Sequence, residues 1–202
     1  MSSNSPEHSD RSVLLSNCTA DAISNAAAAL HSGALVAFPT ETVYGLGADA
    51  TNESAVAHIY SVKGRPTDHP LIVHIGQLSQ LDQWAIDIPN YAIALAREFW
   101  PGPMTLILKR SEKAKDFITG GQDSVGVRIP ANPIALALLR EFAGGIAAPS
   151  ANRFGAISPT TAQAVKDEIG QYLNPAGDLI LDGGPSLVGV ESTIIECLAY
   201  FP

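Results

Sequence analysis

The sequence predicts an α/β domain on a twisted, mixed parallel and antiparallel sheet flanked by helices. Three observations carry this. Apolar runs of strand length alternate with longer segments whose apolar residues recur at helical spacing. The short spacing of apolar runs around residues 104 to 129 favours a mixed over an all-parallel sheet. Finally, 46% hydrophobic against 16% charged residues in a chain of 202 supplies one core of ordinary domain size and excludes disorder over most of the length.

The elements follow in order. MSSNSPEHSD is polar and acidic, with no apolar run behind a basic flank, so residues 1–11 read as a flexible tail and 12–202 as the domain. Thr19 to Ser32 is Ala-rich, opens on capping residues and closes on Gly33, a helix. Ala34 to Phe38 is a buried strand, Asn52 to Val62 a helix with Val56, Ile59 and Tyr60 on one face, and Leu71 to Ile75 a second strand. Leu78 to Trp84 and Tyr91 to Trp100 are helical, Met104 to Leu108 and Val125 to Ile129 are strands, and Pro133 to Phe142 is a helix. Thr161 to Ile169 completes the helices, with Leu179 to Leu181 and Thr193 to Glu196 as strands. No run approaches the ~20 apolar residues of a membrane span, so a soluble, cytoplasmic protein is expected.

Charge and cysteine content narrow the function. Twenty Asp and Glu against twelve Lys and Arg give a net charge of −8, which opposes nucleic-acid binding through bulk charge and leaves an anionic ligand to a local basic pocket. Cys18 and Cys197 are too few and too distant for a disulfide framework or a CxxC site, and read as reduced thiols. The dense basic cluster Lys109, Arg110, Lys113 and Lys115 contains Glu112 and lacks interleaved aromatics, so a solvated loop is the better reading than a nucleic-acid patch. Walker, nucleophile-elbow, HExxH and kinase motifs are absent.

Three stretches carry candidate chemistry. Thr40, Glu41, Thr42 and Tyr44 follow the first strand, where ligands bind in open α/β sheets. Gly45, Gly47 and Ala50 also satisfy GxGxxA, but no acid ends the next strand, since Asp68 precedes it, and a glycine turn with polar caps explains them as well. Lys63 and Arg65 leave a helix two residues apart and could converge on one phosphate chain or merely complement the helix end. Ala148, Ser150 and Asn152, then Ser158 before a helix, offer small side chains and donors suited to an anion or to a cap. Arg128 in an apolar strand demands a fixed anionic partner, an internal acid or a ligand. His74 inside an apolar strand reads, on the residues alone, as a satisfied core histidine.

Taken together, FPTETVYGLGADA, KGRP with PLIVHI, WPGPMTLIL, VGVRIP, APSAN with SPTTA, and GVESTII resemble the YrdC-like family of threonylcarbamoyl-AMP synthases, in the family's order from about residue 30 to 197. The resemblance implies a single YrdC-like domain around a basic concave cavity. It implies an enzyme condensing L-threonine, bicarbonate or CO2 and ATP into threonylcarbamoyl-AMP and pyrophosphate, for a downstream tRNA threonylcarbamoyl transferase complex. Lys63 and Arg65 would act on the ATP phosphates with His69, Ser124, Ser150, Asn152 and Ser158, His69 standing where the family often has Asn. Threonine would be held by Thr42, His74, Arg128, the backbone near Ala148, and Ser192, its carboxylate serving as the anion for Arg128. Mg2+ is expected with ATP, held mainly by phosphates rather than by a protein site. No stable direct tRNA binding is expected.

The details of PLIVHI and GVESTII are closer to the longer members with a second C-terminal domain. The chain stops at Ala199-Tyr-Phe-Pro202 before a usual Arg-Pro-Gly segment, so it is expected to be a truncation. The alternatives are a carbamoyl-adenylate-forming domain of hydrogenase maturation type and an RNA-binding module.

Overall fold

In the computed structural model, which describes residues 15–198, all six expected strands form and three others join them. The strands among the described residues are β1 (Leu15–Asn17), β2 (Val36–Pro39), β3 (Tyr44–Asp49), β4 (Ile72–His74), β5 (Met104–Lys109), β6 (Ser124–Arg128), β7 (Ile146–Ala147), β8 (Leu179–Asp182) and β9 (Thr193–Glu196). They form one sheet in the order β1-β8-β2-β3-β7-β4-β6-β5-β9. Pairings β1–β8, β2–β8, β4–β6 and β5–β9 are parallel, and β2–β3, β3–β7, β4–β7 and β5–β6 antiparallel. The mixed sheet is as expected. The tail at residues 1–11 lies outside the described residues.

The glycines of the GxGxxA pattern are a correction to the sequence reading. Instead of a loop, Tyr44–Asp49 is a strand hairpinned onto β2, with Val36 opposite Gly47 and Phe38 opposite Gly45. A side chain at Gly47 would strike Ile146 and Phe38 at 2.7 and 2.8 Å, so Gly serves close packing of strand against strand. No helix opens there, and the dinucleotide reading falls.

Alternation along β2 divides the core. Leu35 and Ala37 face a layer holding α2 (Glu53–Lys63), α4 (Asn90–Phe99) and α7 (Ala162–Ile169). Val36 and Phe38 face α1 (Ala20–His31) and α6 (Pro133–Phe142). Capping fixes the helix starts: Thr19 accepts from Ala22 N, Asn52 from Ala55 N, and Thr161 from Ala164 N. Helix α2 stops at Gly64, whose left-handed φ of 60° turns the chain towards Arg65. Residues 78–84, expected as one helix, begin as a 3-10 turn and end as the single turn α3 (Leu81–Trp84). A further turn, α5 (Asp116–Thr119), precedes β6.

Topology also dictates how the chain reaches β9. Strand β8 lies second in the sheet and β9 last, so residues 183–192 carry the chain from one side of the sheet to the other, bending at 187, 188 and 190. The segment is pinned as it crosses: Val188 N donates to Glu41 O and Gly189 N to Thr42 O, both at 2.9 Å, and the Tyr44 hydroxyl donates to Gly184 O at 2.7 Å. No described helix is long and apolar enough to cross a membrane.

Candidate active site

Where β4 and β6 run parallel, His74 pairs level with Arg128, on the face opposite Val73 and Val127. The β2–β3 turn, the residues after β7 and the crossing segment close around them. The resulting cavity of about 50 Å³ is lined by Thr42, His74, Arg128, Ala148 and Ser192, together with Ser150 and Glu191. All five residues expected to hold threonine therefore meet in one place, brought from distant parts of the chain.

Arg128 is 3% exposed and has a permanent partner. Its Nη2 donates to Glu41 Oε1 at 2.6 Å, Nη1 to Thr42 Oγ1 at 3.1 Å, and Nε to Gly102 O at 3.2 Å. The other oxygen of Glu41 accepts from Ala131 N at 3.0 Å. The fixed anion is thus Glu41, an internal acid, rather than a ligand carboxylate alone. Two of the five guanidinium N–H groups still stand outside these bonds, so a second anion can be received. Thr42 is held for this by Thr40, whose hydroxyl lies 2.8 Å away and donates to Val43 O at 2.6 Å.

His74 is almost fully buried, edge-on to Phe38, and its Nδ1 has no hydrogen-bond partner. A buried nitrogen left without a partner argues against a satisfied core histidine. Burial, and then the Arg128 charge, push its pKa down to about 3, so the ring is neutral at physiological pH. The unfolded chain has the ordinary value near 6.5. This histidine's contribution to stability is therefore fully present above pH 6.5 and is lost as pH falls towards 3, at up to about 1.4 kcal/mol per pH unit. Thermal melts of the unaltered chain and of His74→Gln across that window should diverge in slope, the unaltered chain falling faster with acid; parallel curves would refute this.

The residues expected to face ATP divide into two groups. Lys63 is 2% exposed, and its ammonium donates to the carbonyls of Ser150 and Asn152, both at 2.5 Å, and to Asn152 Oδ1 at 3.5 Å. Burial, followed by the Arg65 charge, lowers its pKa to about 8. Lys63 thus ties down the Ser150–Asn152 loop rather than projecting freely. Asn152 continues the lattice through its amide to Arg153 O and Ala156 O. The Ser158 hydroxyl donates to Glu191 Oε1 at 2.5 Å.

Arg65 and His69 lie together just before β4, and Ser124 opens the parallel strand β6. Pro70 O, two residues before β4, accepts from Arg65 Nη2 at 3.1 Å. Ser124 shares a face with Arg128, four residues or about 13 Å away. The Phe154 ring, 46% exposed, stands edge-on to His69 and 5.8 Å from the Arg65 guanidinium. Lys63, Ser150, Asn152 and Ser158 thus lie beside the threonine cavity, whereas Arg65 and His69 lie before the start of β4.

Sequence reasoning missed Phe154 and Glu191, and it placed Thr40 and Glu41 in the loop where ligands bind without finding their partners. For Glu41 there was a signal, the need of Arg128 for an acid, but no means of choosing among twenty. A larger cavity of about 750 Å³ lies elsewhere, over the basic cluster. There Lys109 pairs with Asp87, Arg110 with Asp116 and Asp123, and Lys113 covers the Trp84 ring. Lys109, Arg110 and Lys113 are thus each engaged within the protein. Both cysteines are free.

Comparison with known proteins gives this geometry its context. A family model for Sua5, YciO and YrdC proteins, described as telomere recombination, matches residues 28–201. Over 177 residues the chain is 50% identical to the threonylcarbamoyl-AMP synthase of Pyrococcus abyssi (strain GE5 / Orsay), covering 88% of this chain and 51% of that protein. The Bacillus subtilis (strain 168) protein of the same name is 49% identical over 181 residues, 89% of this chain and 51% of its own. The crystal structure of P. abyssi Sua5 complexed with L-threonine superposes with a TM-score of 0.84 at 49% identity, covering 88% of this chain and 51% of that one. The chain thus spans about half the length of the curated relatives it matches.

Proposed function

Because the chain belongs to the Sua5–YciO–YrdC family, we propose that it joins L-threonine, bicarbonate or CO2, and ATP into threonylcarbamoyl-AMP and pyrophosphate. The observation that carries this is the cavity in which Thr42, His74, Arg128, Ala148 and Ser192 converge. The chemistry asks for positioning more than for a nucleophilic side chain. A carbamate on the threonine nitrogen must attack the α-phosphorus of ATP, so two anions have to be held together. Arg128 would receive the threonine carboxylate on its remaining N–H groups. Arg65, with His69 and Ser124, would hold the nucleotide, and Ser150, Asn152 and Ser158 the phosphates.

Lys63 would act there mainly by fixing the Ser150–Asn152 loop and by its positive charge. Mg2+ would enter with ATP and neutralise phosphate charge, carried mainly by phosphate oxygens, because Mg2+ keeps several waters and rarely needs a full protein cage. The product would pass to a tRNA threonylcarbamoyl transferase complex in the cytoplasm. The acidic balance of the chain favours transfer without stable tRNA binding.

The test is pyrophosphate release from ATP with bicarbonate and L-threonine. Release that needs both supports the reading. Release with carbamoyl phosphate in place of threonine and bicarbonate would replace it with carbamoyl-adenylate formation. A sharper expectation concerns Arg65, whose bonds to the exposed carbonyls of His69 and Pro70 matter little for folding. Arg65→Ala should lower catalytic efficiency for ATP by roughly 10- to 100-fold, the worth of one lost charge-assisted hydrogen bond, with the melting temperature almost unmoved. Unchanged efficiency would remove Arg65 from the site.

A further inference from the structure

Resting on that reading, we propose that Glu191 is the specificity residue that receives the substrate's ammonium group. A free α-amino acid is a zwitterion, and a pocket that selects it needs groups of both signs. On the cavity wall the ionisable side chains are Arg128, Glu191 and His74, and the histidine is neutral. Glu41 does not line the cavity, and both of its oxygens are occupied, by Arg128 and by Ala131 N. Glu191 is therefore the lining carboxylate available to a cation.

Its geometry suits the task. Ser158 donates to Oε1 and holds the carboxylate in place, and Oε2 has no protein partner among the described residues. Ser192, its neighbour, faces the same cavity and is held by Thr105 at 2.8 Å. The segment bearing Glu191 is anchored two and three residues earlier, at Gly189 and Val188, to the carbonyls of Thr42 and Glu41. The residue expected to touch the substrate hydroxyl and the arginine expected to touch its carboxylate are thus mechanically joined to the acid proposed for its amine. A carboxylate beside a triphosphate site is unfavourable by itself. An ammonium from the first substrate would cancel that repulsion before ATP is engaged.

The experiment is calorimetric binding to the full chain of L-threonine and of 2,3-dihydroxybutanoate, in which a hydroxyl replaces the amine. The unaltered chain should prefer L-threonine. Glu191→Gln keeps the shape and should weaken L-threonine by roughly 10- to 100-fold, leaving the deaminated analogue within about threefold. Ser158→Ala, which frees the carboxylate without removing it, should weaken L-threonine less. Equal weakening of both ligands by Glu191→Gln would mean that the acid only braces Ser158, and unchanged L-threonine binding would mean that it does not touch the amine. Either overturns this assignment alone. Failure of the unaltered chain to bind L-threonine would instead overturn the functional reading.

Discussion

L-Valine should be used at least roughly 10⁴-fold less efficiently than L-threonine, although the two differ only in a methyl for a hydroxyl. Sites built to hydrogen-bond a hydroxyl discriminate on this scale, because the analogue leaves a buried polar group unpaired. Here the groups are the cavity-lining His74 ring, Thr42, held by Thr40 and Arg128, and Ser192, held by Thr105. L-Serine keeps the hydroxyl and loses one methyl, so it should leak through, roughly 10- to 200-fold down. Adenylate formation with the three amino acids, under saturating ATP and bicarbonate, measures this. Valine outperforming serine would show that the cavity does not read the hydroxyl.

Arg128→Met should destabilise the chain by about 3–5 kcal/mol, because it leaves the Glu41 carboxylate in the interior without its counter-charge. For a domain of this size that is a fall of roughly 6–20 °C in melting temperature. Use of L-threonine should vanish as well. The two losses can be separated. Combining Arg128→Met with Glu41→Leu removes both charges, and a buried pair exchanged for apolar groups costs little. The double variant should therefore regain most of the melting temperature without regaining activity. If it stays as unstable as the single variant, the ion pair is not what Arg128 contributes to folding.

Much of this was legible in the residues. VAF, IVH and MTLIL announce their strands because an apolar run bounded by turn residues has few alternatives. Tyr44–Asp49 did not, because two glycines and a tyrosine in the sequence YGLGAD suggest a turn; only the proximity of Phe38 and Ile146 makes glycine the residue that fits there. Strands β1 and β7, three and two residues long, are too short to show a period. In the site, chemistry was readable and pairing was not. An arginine in VGVRIP must have an anion, but the identity of Glu41 depends on an 87-residue separation that only folding closes. Lys63 shows the converse: its place beside the Ser150–Asn152 loop was anticipated, whereas its engagement with two backbone carbonyls was not.

The insertion of β8 between β1 and β2 constrains how the molecule can be made. On the ribosome the N-terminal strands emerge first, yet the edge of β2 is completed only when residues 178–182 follow. Leu35 N, for instance, waits for Asp178 Oδ1, 143 residues downstream. At translation rates of about 5–20 residues per second that wait lasts roughly 7–30 s. Throughout it the nascent VAF edge has no strand beside it, a template for pairing with a neighbouring chain. Nascent copies on one polysome are the nearest such neighbours. Yield of folded protein should therefore depend on holdase chaperones and on ribosome spacing more than the equilibrium stability of the finished domain would suggest.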